Sequence, residues 1–439
     1  MDVNNKRVTV VGLGLTSGGA AIARFLSSRG AQVTVTDSAN SQTLAPEIAK
    51  LDDSSVASIR LGRLSAEDFC NAEIVVANPS IPPNDWFLSL AVRNGATITT
   101  ELEIVLQNCP GRIIAVTGAA GKSTTVAMIQ TILQADGRRC FGSADATHSV
   151  LADLAHVRAD DFVVLEVSSQ QLARVSSVTY SPEIAVVTNS QPNRLAWHGT
   201  FDHFVKCTQQ LLRLQTASDA TVMDLADPEL SSWQRQIRGR HISPATESCI
   251  PELQVLGQHN VKNASLAAAA CVVVGCSSAS ITMGLKEFPG LPHRLELIPR
   301  IVGRAIINDA TANSPTRTAA ALAAAQSPVT LLLMSSSSYD LDWKPLLSEF
   351  SDKVRRVGLL GSGGAELTHE LQLEHPNLSI EHFESIGEAT AWAITESQWN
   401  DTVLFSPAAP HCSDYASAHE LGREFAAAVA EFSSAGTLL

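Results

Sequence analysis

The sequence predicts an α/β protein of three domains. They are a Rossmann-like N-terminal unit, a central parallel sheet carrying a phosphate loop (P-loop), and a Rossmann-like C-terminal unit. Three observations carry this reading. Strand-like and helix-like segments alternate along most of the chain, which is the pattern of parallel sheets. At 439 residues the chain is too long for one core, and length alone suggests about two to four domains. Two glycine-bearing turns each follow an apolar strand and open a helix.

The first unit, residues 1–108, begins RVTVVGLGLTSGG, AAIARFLSSRG, AQVTVTDS: strand, glycine turn, helix, strand. The segments EIVVANP and ATITTELE follow, and the unit closes near Gln107–Pro110. Gly12, Gly14, Ser17 and Gly18 nearly reproduce the dinucleotide fingerprint, with Ser17 at the third glycine. Asp37 ends the next strand, where a carboxylate can bind a ribose hydroxyl. Alone, this turn suggests an NAD-dependent oxidoreductase, and such turns also occur with no ligand. A nucleotide or nucleotide-sugar is favoured over NAD itself.

The second unit, residues 109–292, opens with RIIAVTGAAGKSTT (112–125). It reads as buried strand, tight loop and helix N-terminus, where backbone amides and the helix dipole attract phosphate. Lys122 can reach the terminal phosphates, and Ser123 or Thr124 can hold Mg2+. The pattern T-G-x-x-G-K-S-T is not the standard eight-residue phosphate loop, which needs Gly at position 116, where Val116 stands. The bland alternative is a vestigial loop.

Glu166 interrupts the apolar strand DFVVLEVSS (161–169). A buried carboxylate is costly unless paired or on metal. Metal is favoured over hydrogen bonding to Ser168 or Ser169. EIAVVTNS (183–190) is another strand, and NVKNASLAAAACVVVG (260–275) an alanine-rich helix. Lys206 lies in the helix-like TFDHFVKCTQQLL, where a lysine is ordinarily a solvated charge. His198, His203 and His259 read as ordinary polar histidines rather than ligands. PGLPHR (289–294) breaks periodicity and reads as a linker. Arg294, just inside the third unit (293–439), reads alone as a surface arginine. That unit strings together AIINDA, SPVTLLLM, RRVGLLGSGG, SIEHF and DTVLFSP.

Bulk properties exclude some classes. A net charge of −13 argues against general nucleic-acid or membrane-surface binding. The eight cysteines are scattered with no C-x-x-C pair, so neither a zinc site nor a disulfide framework is implied. Reduced thiols in a cytoplasm are expected. The N-terminus lacks a signal peptide's apolar core, and no stretch of about 18 apolar residues predicts a membrane span.

Together, TGAAGKSTT, LEVSSQQL, TNSQPNRLAWHGTFDHFVK, GQHNVKNA, LPHRLE and NDATANSP occur in an order that resembles the Mur ligases. The first unit, with VVGLGLTSGG and NPSIPP, and the C-terminal SPAAPHCSDYASAHELGREF agree. The resemblance implies an ADP-forming amide ligase of peptidoglycan precursor synthesis. Its nearest branch adds D-glutamate to UDP-N-acetylmuramoyl-L-alanine through an acyl phosphate, with ATP and Mg2+, as a cytoplasmic monomer. It further implies site residues. Gly118, Ala119, Ala120, Gly121, Lys122, Ser123 and Thr124 would hold ATP phosphates, with Lys122 on the transferred one. Ser123, Glu166 and a carbamylated Lys206 would bind metal. Asn263 would meet adenine, and Arg294 and Asp309 would reach ATP. Leu15, Thr16, Asp37 and Ser38 would line the uridine-nucleotide site.

The chain departs from the family pattern at several positions. Ala119–Ala120 replace the usual middle pair of the loop. Asn193 and Arg194 stand in the segment where the family has a metal-binding His, and arginine cannot ligate Mg2+. Ala144 replaces an Asn, and Thr311 replaces a Lys. MSSSSYD (334–340) replaces a lysine-bearing glycine motif, and His411 and Ser413 replace a Ser and an Asp. Two readings therefore stand: the ligase, and a nucleotide-binding homologue with lost or altered ligase activity.

Overall fold

The computed structural model describes residues 2–14, 18–51, 56–142, 149–175, 180–299, 301–326, 328–334, 341–350, 353–361, 364–409, 415 and 417–436. Among the sequence-predicted positions, Leu15, Thr16, Ser17, Ala144, most of MSSSSYD, His411 and Ser413 lie outside the described residues.

The strands of the described residues form three sheets, and the fold is α/β. The first holds β1 (Arg7–Val11), β2 (Gln32–Asp37), β3 (Ser58–Leu61), β4 (Ile74–Val76) and β5 (Thr97–Thr99). They pair in parallel in the order β3-β2-β1-β4-β5. The order reverses between β1 and β4, and such a reversal opens a crevice at the carboxyl ends of the strands.

The second sheet comprises β6 (Arg112–Thr117), β7 (Cys140–Phe141), β8 (Phe162–Glu166), β9 (Ile184–Val187), β10 (Ala220–Met223) and β11 (Arg240–Ile242). Its order is β11-β10-β9-β6-β8-β7. β6 and β9 are buried on both faces, which explains their unbroken apolar runs. β6 lies between β9 and β8, with Val116 paired to Glu166 on one side and Thr117 to Val187 on the other. That register sets the candidate site.

The third sheet comprises β12 (Glu296–Leu297), β13 (Ala305–Asn308), β14 (Val329–Met334), β15 (Val354–Leu360), β16 (Ser379–Phe383) and β17 (Thr402–Phe405). The parallel order β13-β17-β14-β15-β16 carries β12 as an antiparallel edge. The chain divides into two compact units. One contains Met1–Pro251 with Lys262–Glu287, and so the first two sheets; the other contains Glu252–Val261 with Phe288–Leu439. No helix of the described residues is long and apolar enough to cross a membrane.

The linker read from PGLPHR enters the second unit under constraint. His293 and Leu295 both adopt positive φ, 59° and 50°. A bulky side chain there costs on the order of 1–3 kcal/mol and persists only when its surroundings enforce it. Hydrogen bonds to both residues enforce it. The Thr311 hydroxyl and N–H both donate to the His293 carbonyl. Asn308 Nδ2 lies 2.9 Å from His293 Nδ1, and the Leu295 N–H donates to Asp309 Oδ1 at 3.2 Å. Asp309 Oδ2 accepts from Ser406 Oγ at 2.8 Å.

Burial pushes the Asp309 carboxyl up to about 7 from its ordinary 3.8, against the hydrogen bonds from Ser406 and Leu295 and the charges of Arg317 and Arg294. Between these two values the folded chain binds more protons than the unfolded one. Stability therefore falls as pH rises through that window. Asp309→Asn keeps a side-chain acceptor for the Leu295 N–H and cannot ionise. The wild-type thermal midpoint should drop more steeply from pH 5 to pH 8 than that of the variant. Parallel curves would remove this role for Asp309.

Candidate functional site

The site is built at the carboxyl ends of β6, β8 and β9. β6 runs into Gly118, whose φ of 133° is rarely open to L side chains. A Cβ there would strike the Thr188 hydroxyl and lie 2.9 Å from the Asn189 carbonyl. Gly121 caps the helix Lys122–Ala135 in the left-handed region, at φ 80°, with the Asn263 side chain against it. The glycines let the loop lie close to the end of β9, and a helix N-terminus follows at once.

β9 supplies the cradle. The Asn189 carbonyl accepts from Ala119 N at 3.3 Å, and Asn189 Oδ1 accepts from Ala120 N at 3.0 Å. Asn189 Nδ2 and Thr188 Oγ1 donate to the Ala120 carbonyl at 3.1 and 2.6 Å. Asn193 Nδ2 donates to the Ala119 carbonyl at 2.7 Å. All of these bonds use the backbone of Ala119 and Ala120, so none of them depends on the side chain at either position.

The β6–β8 register brings Glu166 beside the start of the loop helix. Ser123 Oγ donates to Glu166 Oε2. Lys122 Nζ donates to the Gly118 carbonyl at 3.0 Å and lies 3.9 Å from Glu166 Oε1. Lys122, Ser123 and Glu166, singled out separately in the sequence, thus form one cluster. The bland alternative for Glu166, a bond to Ser168 or Ser169, does not occur. Ser168 instead caps its own helix through Gln171. A hydroxyl and a carboxylate beside a helix N-terminus form an oxygen donor set suited to Mg2+.

Other predicted residues sit elsewhere. Lys206 is on the exposed side of the helix Phe201–Thr208, with no hydrogen bond or ion pair among the described residues. Arg194 is exposed, at φ 51°, at the start of the helix Leu195–His198. Asn263 is buried against Gly121. Arg294 is half-buried in the compact unit that carries the third sheet, where its charge acts on Asp309.

In the first sheet, Asp37 holds the glycine turn itself. Its Oδ2 accepts from Gly14 N at 3.1 Å and its Oδ1 from Ala39 N at 2.8 Å. Ser38 is exposed beside it. Gly12, Asn78, Pro79 and Glu101 line a cleft at the β1–β4 reversal.

Sequence reasoning missed Asn189 and Arg174. Arg174 donates to the carbonyls of Asn78, at 3.2 Å, and Ile81. Trp197 Nε1 also donates to the Ile81 carbonyl, at 3.3 Å. These bonds tie the NPSIPP segment of the first sheet to the second. Their targets are backbone carbonyls, so no residue pattern announces them.

Three family models match the chain, each over a different part. Residues 6–100 match the family model described as Mur ligase MurD-like, N-terminal domain. Residues 116–248 match the Mur ligase middle domain, and 293–409 the Mur ligase, glutamate ligase domain. A UDP-N-acetylmuramoylalanine–D-glutamate ligase of Roseiflexus sp. strain RS-1 is 31% identical, over 93% of this chain and 94% of that one.

The chain belongs to the Mur ligases.

A second relative of the same description, from Symbiobacterium thermophilum, is 29% identical over 96% of this chain and 97% of its own. Among solved structures, the Mur ligase fold recurs in UDP-N-acetylmuramate-alanine ligase MurC of Thermotoga maritima. Its TM-score is 0.65 at 17% identity, covering 98% of this chain and all of that one (100%). MurF ligase from the same organism, solved in complex with ADP, matches with a TM-score of 0.58 at 14% identity over 98% and 96% of the two chains.

Gly118→Ala should lower stability by at least ~1–3 kcal/mol through the forced positive φ alone. It should also weaken nucleotide binding, because the loop must leave the end of β9. Calorimetric titration with ATP alongside a thermal melt checks both. Wild-type values in both would contradict the packing described here.

Proposed function

We propose that the chain is an ADP-forming ligase that joins D-glutamate to UDP-N-acetylmuramoyl-L-alanine in a bacterial cytoplasm, with ATP and Mg2+. The observation that carries the reading is the Lys122–Ser123–Glu166 cluster at a helix N-terminus, in a chain with a full-length relative of that activity.

The chemistry follows from the groups present. The substrate carboxylate attacks the terminal phosphorus of ATP, an acyl phosphate forms, and ADP leaves. The amine of D-glutamate then attacks the acyl carbon, an amide bond forms, and phosphate departs. The first step puts extra charge on the phosphoryl oxygens, so positioning and charge neutralisation are what the protein must supply.

The N–H groups at the start of the loop helix would meet the phosphates of bound ATP. Lys122 leaves the Gly118 carbonyl and Glu166 to meet the transferred phosphoryl. Ser123 and Glu166 would hold Mg2+, which would supply Lewis-acid neutralisation of the phosphate charge. Lys206, which lies apart from these residues on an exposed helix face, would take part only as a carbamate, which its exposed amine is able to form. The uridine nucleotide binds over the cleft at the β1–β4 reversal, beside Gly12, Asn78 and Glu101, and the family resemblance assigns Leu15, Thr16 and Ser38 to the same ligand. Asp37 shapes that cleft through Gly14 and keeps acceptor capacity for a ribose hydroxyl.

A second reading is nucleotide binding without ligation. It is favoured by Arg194, a fixed cation where the family has a metal ligand, and by Thr311, whose hydroxyl is committed to the His293 carbonyl. One assay separates the two. Under the ligase reading, phosphate is released from ATP only when UDP-N-acetylmuramoyl-L-alanine and D-glutamate are both present. Lys122→Ala should then lose at least ~100-fold in kcat. Tight ATP binding with no turnover above the Lys122→Ala control would establish the second reading instead.

A further inference from the structure

His198, His203 and Cys207 come together away from the phosphate loop. His198 ends the short helix Leu195–His198, and His203 and Cys207 lie one turn apart on the helix Phe201–Thr208. One nitrogen of each ring and the Cys207 sulfur all lie within 4.8 Å of one another. His198 and Cys207 are buried, and His203 is half-buried. In the sequence each histidine reads as an ordinary polar residue. The folded geometry gives them a common focus.

The second observation is the hydrogen bonding of the two rings. His203 Nδ1 lies 3.0 Å from the His198 carbonyl. A carbonyl only accepts, so Nδ1 carries the proton and Nε2 carries the lone pair. His198 Nε2 lies 2.9 Å from Ser169 Oγ. The other nitrogen, His198 Nδ1, is fully buried and has no hydrogen-bond partner, in a side chain only 5% exposed. An orphaned buried nitrogen is costly unless something binds it. Each ring therefore has one nitrogen fixed by an oxygen and the other left over, the arrangement that orients histidines bound to metal. Trp197 and Phe204 pack against the pair and limit water access.

We propose that His198 Nδ1, His203 Nε2 and Cys207 Sγ form a three-ligand site for a borderline-soft divalent ion of the Zn2+ class. Two imidazoles and a thiolate select such an ion over Mg2+, which demands oxygen ligands. Tetrahedral Zn2+ with bonds of about 2.0–2.3 Å puts its ligands roughly 3.5 Å apart. One nitrogen of each ring and the sulfur now lie within 4.8 Å of one another, and rotation of the rings and the thiol about their side-chain bonds brings the ligand atoms to that spacing. Binding releases the Cys207 thiol proton to solvent, and the fourth position stays open to water. The ion clamps the helix Leu195–His198 onto the helix Phe201–Thr208. Immediately before the first of these, Asn193 holds the Ala119 carbonyl. Metal occupancy therefore stiffens one support of the phosphate loop.

The test uses the full chain, stripped with chelator and titrated with Co2+ in buffer holding millimolar Mg2+. One equivalent should produce tetrahedral d–d absorption together with a thiolate-to-cobalt charge-transfer band, both displaced by Zn2+. Cys207→Ala should abolish the charge-transfer band. His203→Gln, at a half-exposed position, should weaken Co2+ binding at least ~100-fold with an unchanged circular-dichroism spectrum. Ser169→Ala should weaken it about 10–100-fold. Absence of the charge-transfer band at stoichiometric Co2+ would overturn the site. So would wild-type Co2+ affinity in His203→Gln.

Discussion

The pairing of β6 with β8, in the register that sets Val116 beside Glu166, is the constraint on which the candidate site depends. A shift of one residue would turn Glu166 to the other face of the sheet. With the observed register, the carboxylate meets Ser123 as the loop becomes a helix, and Lys122 lies within reach of both. The pairing on the other side, Thr117 with Val187, brings Thr188 and Asn189 beneath the loop. In these central strands, buried on both faces, close packing of side chains such as Ile113, Ile114 and Val164 against each covering layer holds the registers. The core of the sheet thus does more for the site than any one polar contact.

That constraint explains which departures from the family pattern are harmless. Asn189 and Asn193 grip Ala119 and Ala120 only through the backbone, so alanine keeps the loop conformation. Thr311 has a role of its own, holding the His293 carbonyl of the strained linker. Arg194 differs from both. It is exposed, in a left-handed conformation, and no contact in the structure accounts for it.

The strands of the three sheets were legible where periodicity was strong. β1, β2, β6, β8, β9, β14 and β17 coincide with apolar runs in the sequence. β3 was not legible, because SIRL has no buried face to mark it. Lys122, Ser123 and Glu166 were legible as types in the right places. Asn189 and Arg174 were not, since they act on backbone 69 and 96 residues away along the chain. Asp37 was found for its position, and its carboxylate also accepts from the amides of Gly14 and Ala39 in the glycine turn. Lys206 faces outward because Phe204, Cys207 and Thr208 take the buried side of its helix.

The central claim is that loop and strand end form one site in which Glu166 acts through a divalent cation. The most direct measurement is ATP affinity with and without Mg2+, in wild type and in Glu166→Gln. The account predicts that Mg2+ tightens ATP binding to the wild type, whereas Glu166→Gln keeps its metal-free affinity and loses that enhancement. An equal Mg2+ enhancement in both proteins would contradict it.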